Sequence, residues 1–198
     1  MKKGTWVTLG IVIGIVVLVV LALVGIYNGL VRAEETVSEA WAQVENVYQR
    51  RLDLVPNLVE TVKGYAAHEQ ETFEGVVEAR SKISQMNLSP EVVNQPELLM
   101  QFQQAQGALS SALSRLMVVV ERYPDLKANQ NFLALQAQLE GTENRISVER
   151  RRFNLVSREF NTKIRVFPHQ LIAKWMGLQA KAYFEAEPGA AQAPEVSF

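Results

Sequence analysis

The sequence predicts an all-α protein, in which an N-terminal transmembrane helix continues into a long stalk helix. An antiparallel up-down bundle of three long helices and a short closing helix completes the expectation. Three observations carry it. An uncharged apolar run from Thr5 to Ile26 opens the chain. From Leu30 onward, apolar residues recur in steps of three and four, the spacing of one helix face, through most of the 198 residues. No stretch alternates with the period of two that a half-buried strand requires.

The run TWVTLGIVIGIVVLVVLALVGI holds 22 residues without a charge. At about 1.5 Å of rise each, it covers a hydrocarbon core of about 30 Å. It is longer than the roughly 7 to 15 apolar residues of a cleaved signal peptide, and it leads into Tyr27, Asn28 and Gly29. Residues 1–27 therefore read as an uncleaved anchor. Lys2 and Lys3 precede the run and a single Arg32 follows it closely. Counting Lys and Arg places the N-terminus in the cytoplasm and the body from Asn28 outside. The expected location is the cytoplasmic (inner) membrane, crossed once.

Residues 28–177 read as stalk and bundle. Leu30, Val37, Trp41, Val44, Tyr48, Val55, Leu58 and Val62 start a coiled-coil-like repeat that continues to about Met86. Pro56 lacks a backbone donor and crowds the preceding turn, so a kink or break is expected near Leu54 and Val55. Ser89 before Pro90 and Gln95 before Pro96 have the form of helix starts, which puts the first connection at 87–95. The second helix carries Leu99, Phe102, Gln106, Leu109, Leu113, Leu116 and Val120 in register, and Tyr123-Pro124-Asp125 ends it. The third runs from Leu126 to about Arg165, before Pro168. Leu171, Ile172 and Trp175 suggest the closing helix, with Gly177 as its left-handed cap. Residues 178–198 are poor in large apolar side chains toward their end and read as a mostly disordered tail. Reversals near Met86–Glu97 and near Tyr123 would set Gly75, Gly107 and Gly141 at one level, a hint of close backbone approach.

Composition excludes several function classes. Twenty basic and 21 acidic residues leave a net charge of −1, so no extended positive field invites nucleic acid. Cysteine is absent, which removes disulfides, thiolate metal sites, a Cys nucleophile and a lipoprotein anchor. His68-Glu69 is followed by Gln70, Glu71 and Thr72 rather than the second His of a zincin motif. A Gly-rich phosphate loop and a nucleophile elbow are also missing. No catalytic, cofactor-binding or metal residue is assigned, and the chain reads as non-enzymatic.

Two candidate sites remain. Arg51, Glu69, Glu143 and Arg150 fall at or beside positions where the repeat calls for apolar side chains. A buried charge needs a partner, so they form a candidate internal polar layer that fixes helix register. The second set is Leu30, Val37, Trp41, Val44 and Tyr48 on the stalk. A second helix returning from Met86 reaches only the level of about Glu60 and the third climbs away again, leaving this stripe without a partner from its own chain. Other copies anchored in the same plane would cover it, which makes it a candidate self-association surface.

Several segments together resemble the LemA family over nearly the whole chain: YNGLV at 27–31, AWAQVENVYQRRLDLVPNLVETVKGYAAHE at 40–69 and YPDLKANQNFLALQAQLEGTENRI at 123–146. RRFN at 151–154, FN at 160–161, FP at 167–168 and YFEAEPGA at 183–190 extend the resemblance. It implies a membrane-anchored helical bundle without established enzymatic activity, and roles in envelope maintenance, stress response or membrane remodelling. It also implies an association of relatives with a membrane zinc metalloprotease. The reading is a self-associating, membrane-anchored scaffold of the cell envelope. The alternative is a binding or adaptor module that captures another envelope protein, such as a membrane protease. The partners are thus the lipid bilayer and further copies of the chain, with another envelope protein as the alternative and no nucleic acid.

Overall fold

The computed structural model describes residues 3–86 and 90–185. The expected Ser89 cap lies outside them. Among the described residues there are six α-helices and no strand: α1 Lys3–Lys63, α2 Gln70–Ser84, α3 Pro96–Val120, α4 Pro124–Lys127, α5 Gln130–Lys163 and α6 His169–Met176. A 3-10 turn, Pro90–Asn94, leads into α3. The all-α expectation holds, and anchor and stalk are one helix of 61 residues. Gly177, at φ +72°, caps α6 in the left-handed region as expected.

Of the kink or break expected near Leu54 and Val55, a break does not occur, because α1 runs through Pro56 to Lys63. Proline at 56 removes the N–H that would bond the Leu52 carbonyl four residues back. Arg80 of α2 replaces it, its Nε donating to the Leu52 oxygen at 3.0 Å. The helix therefore keeps its ladder satisfied from outside. The chain turns instead at Gly64–Glu69, where Ala66 is buried and a short series of turn hydrogen bonds links Val62, Ala66 and Glu69.

That earlier reversal inverts every later helix relative to the sequence expectation. α2 descends beside α1, α3 ascends, and α5 descends along the stalk. The α1–α5 pairing is antiparallel over its full length: Tyr65 meets Asn129 at 2.9 Å, Arg51 meets Glu143 at 3.2 Å, Glu39 meets Arg152 at 3.7 Å, and Lys163 Nζ donates to the Gly29 carbonyl at 2.7 Å. The third long helix starts later than Leu126 because α4 intervenes, with Asn129 capping α5 through a bond from the Phe132 N–H.

The stalk stripe is consequently interior. Leu30, Val37, Trp41, Val44 and Tyr48 are each at most 2% exposed, within the same core as Phe102, Phe153 and Phe160. They do not offer the self-association surface inferred from spacing, since α5 and the chain beyond α6 cover them. Nor do Gly75, Gly107 and Gly141 mark a close approach, because a Cβ at any of them would meet nothing within 4 Å.

The boundary at residue 178 also moves. Leu178–Glu185 is an extended arm that climbs from α6 back up the stalk, and its Phe184 is 5% exposed. Asn161 donates to the Lys181 carbonyl at 2.8 Å and accepts from the Lys181 N–H at 2.7 Å. Asn154 makes the same two-way bond with Phe184, at 2.8 and 2.9 Å. The match is geometric. Seven residues of helix and three of extended chain both span about 10 Å, so two asparagines on one face of α5 read two backbone sites of the arm three residues apart.

The Arg80 substitution for a missing N–H is open to a double-mutant cycle. Arg80→Ala should lower stability by about 1.5–3 kcal/mol, the range for a hydrogen bond from a charged group. In a Pro56→Ala background, where residue 56 again carries an N–H for Leu52, the same change should cost far less. Urea unfolding of the four proteins in detergent measures both. Equal costs in the two backgrounds would show that Arg80 does not serve the Leu52 carbonyl.

Candidate functional site: a polar groove over Arg51

Between α1, α3, α5 and the arm lies a groove of about 550 Å³, floored by Tyr48 and Arg51 and flanked by Gln106, Ser110, Glu143 and Arg150. Helical spacing builds it. Arg51 follows Val44 and Tyr48 on the buried face of α1, while Gln106 occupies the seam position between Phe102 and Leu109 on α3. Both are buried, at 3% and 4% exposure.

Of the expected internal polar layer only Arg51 is buried, and the Glu143 side chain that meets it is half exposed. Arg51 pairs with Glu143 at 3.2 Å and donates through Nη2 to the Ser110 hydroxyl. Its Nε has no hydrogen-bond partner among the described residues. Arg150 lies at the opposite lip, its Nη2 donating to the Glu185 carbonyl at 2.9 Å and its guanidinium 4.9 Å above the Phe184 ring. Glu69 is elsewhere: it sits in the turn after α1, paired with Arg122 at 3.0 Å and within 3.4 Å of the Tyr123 hydroxyl. So Arg51, Glu143 and Arg150 share one site, and Glu69 braces the far end of the bundle.

Gln106 is the residue that the charged-position search passed over. Both its amide nitrogen and its amide oxygen are buried without a hydrogen-bond partner among the described residues. Leaving a buried polar group unpaired costs about 1–3 kcal/mol, so this side chain opposes folding where it stands. Its signal was present in the pattern as the one polar member of the α3 stripe. Lys181 was missed for a different reason, lying in the segment read as tail. It is buried, 3.1 Å from Glu34 and 2.9 Å from the Asn94 side-chain oxygen.

The groove offers hydrogen-bond donors and acceptors side by side. Guanidinium donors, a carboxamide and hydroxyls from Ser110 and Ser111 line it. Among the described residues no cluster of His, Asp or Glu is arranged to hold a metal. His68 is exposed in the turn and His169 belongs to α6, so neither reaches the groove to act as a base. Burial pushes the Tyr48 phenol up to about 12, with Arg150 and then Arg51 pulling the other way.

The pattern of the LemA family matches residues 40–198. The chain belongs to the LemA family. Similar proteins include Protein LemA of Metamycoplasma hominis, 28% identical over 82% of this chain and 70% of that protein. Magnetosome protein MamQ of Magnetospirillum gryphiswaldense is 26% identical, again over 82% of this chain but 65% of its own length, so the chain spans less than two thirds of that relative. Magnetosome protein MamQ 2 of Paramagnetospirillum magneticum has the same identity and coverage. In this LemA family chain the RRFN and FN segments acquire a physical reading: Phe153 and Phe160 fill the core, and Asn154 and Asn161 hold the arm.

Tyr48 makes the site's burial measurable. With a phenol near 10 in the unfolded chain and about 12 in the folded one, the folded state binds the proton more tightly. Its contribution is intact below about pH 10 and is lost as pH rises toward 12, at up to about 1.4 kcal/mol per pH unit. The stability of the wild type relative to Tyr48→Phe should therefore fall by about 2 kcal/mol between pH 9 and pH 11.5, read from urea midpoints. A constant difference across that range would mean that the phenol is solvated.

Proposed function

We propose that this LemA family chain is a non-enzymatic binding module of the cell envelope, held by α1 in the cytoplasmic membrane, that captures an extended segment of another envelope protein in the Arg51 groove. The unpartnered Gln106 carboxamide is the observation that carries this reading. An extended peptide presents an N–H and a C=O from each residue, the complement of a carboxamide. The free Arg51 Nε and Arg150 beside it favour a carboxylate on that segment, from an acidic side chain or a C-terminus. A groove of about 550 Å³ suits a few residues rather than a protein face.

The anchor is supported by the exposure of its large apolar side chains, Leu18 at 67% and Leu21 at 61% among them. α1 is long and apolar enough to cross a membrane. The Lys2, Lys3 flank favours a cytoplasmic N-terminus with the bundle outside. The scaffold alternative loses its argument with the burial of the stalk stripe.

Gln106→Leu separates recognition from folding. It removes an unpaired buried amide, so stability should rise by about 1 kcal/mol, while capture fails. Benzoylphenylalanine in place of Ser111, on the groove wall, should crosslink in intact membranes to one dominant foreign protein, and the added Gln106→Leu change should abolish that adduct. Adducts only between copies of the chain would favour the scaffold. Adducts indifferent to Gln106→Leu would defeat the groove as the capture site.

A further inference from the structure

The base of the bundle carries an apolar feature that neither the core nor the groove uses. α6 packs its Ala173, Ile172 and Met176 side toward the core. Its other side, with the turn before it, presents Phe167 at 79% exposure, Leu171 at 62% and Trp175 at 80%. Leu171 and Trp175 are four residues apart on one face of α6, and Phe167 stands exposed in the turn that leads into it. Side chains of this size at such exposure are out of place on a surface that meets only water.

The neighbours of the stripe decide what covers it. Leu171, Ile172 and Trp175 form one wall of a cleft of about 510 Å³, whose other wall is Leu23, Val24 and Tyr27 of α1. Those three residues are the end of the apolar run and its first polar-tipped aromatic. Lys163, bonded to the Gly29 carbonyl, pins the end of α5 to the same level. α6 is thus fixed in height against the last turns of the hydrophobic stretch. Exposed Arg165 and Lys174 flank the stripe, and Trp6 and Tyr27 mark the two ends of the run about 30 Å apart at 1.5 Å per residue.

We infer that α6 and its preceding turn are a second membrane contact, with Phe167, Leu171 and Trp175 immersed in the interfacial layer of the bilayer that α1 crosses, and phospholipid filling the cleft between α6 and α1. The inference rests on the membrane-spanning reading of α1. An amphipathic helix held at the height where hydrocarbon gives way to headgroups lies in the interface, its aromatic ring at headgroup level and its cations toward phosphate. Lipid is the occupant because α1 delivers the stripe to it, at a local concentration that a soluble partner does not reach. The bundle then stands on two supports rather than hanging from one helix.

The absence of native cysteine makes single-site labelling direct. The full chain is reconstituted in phosphatidylcholine–phosphatidylglycerol vesicles with an environment-sensitive fluorophore at Trp175→Cys or Phe167→Cys. Leu18→Cys reports on the anchor and Val118→Cys, 67% exposed on α3, on the aqueous body. Spin-labelled lipid should quench the fluorophore at 175 and 167 as well as at 18, and aqueous iodide should quench 175 and 167 several-fold less than 118. Lipid quenching at 18 with free iodide access at 175 and 167 would leave the anchor standing and overturn the α6 contact. Absence of lipid quenching at 18 would overturn the anchor itself, and this inference with it.

Discussion

The fold hangs on Trp41. Its indole touches Phe102 of α3 with ring centroids 6.1 Å apart, Phe153 of α5 at 5.6 Å and Phe184 of the arm at 6.1 Å, the last pair stacked. Every segment that closes the bundle at this height therefore meets one side chain of the stalk. Phe153 reaches it only if α5 runs down α1, and Phe184 only if the chain doubles back after α6. The asparagine pair on α5 makes that return specific, because it bonds the arm backbone in one register. The groove follows from the same constraint, since Phe184 in the core brings the neighbouring Glu185 carbonyl to Arg150.

A polar groove directly beside an aromatic core is costly. A buried guanidinium with one unpaired nitrogen and a carboxamide with none of its bonds made both oppose folding. The surrounding apolar contacts tolerate this, and the α1–α5 pairing holds Glu143 against Arg51. Arg51 thus meets part of its need within the bundle, through Glu143 and Ser110, while the Gln106 amide meets none of its own among the described residues.

Helix content, the anchor run and the Gly177 cap were legible because each depends on local spacing or on one residue's conformational preference. The direction of the helices was not. It turned on whether the chain first reversed at Gly64–Glu69 or only after Met86, and the contact that holds α2 back against α1, Arg80 to Leu52, joins positions 28 apart that no local rule connects. One misplaced reversal then inverted the course of α5 and exposed the stalk stripe on paper. Arg51, Glu143 and Arg150 were recognisable as charges on an apolar seam, but spacing alone could not divide them from Glu69. Gln106 was legible in principle, being a polar residue on an apolar stripe, and escaped because it carries no charge. The arm was hidden by composition: Lys181, Tyr183 and Glu185 look like solvated chain until Asn154 and Asn161 satisfy the backbone between them.

The pairing of α1 with α5 also sets an order of events during synthesis. α1 leaves the ribosome first, while the helix that shields it begins at Gln130 and Phe184 comes near the end. At about 5–20 residues per second, the stalk stripe waits several seconds or more for its cover. Throughout that interval an apolar helix face stands without the helix that covers it in the folded chain. Emergence of α5 and the arm, rather than formation of α1, is the step that closes the core, and any product truncated before the arm leaves Trp41 without its stacking partner.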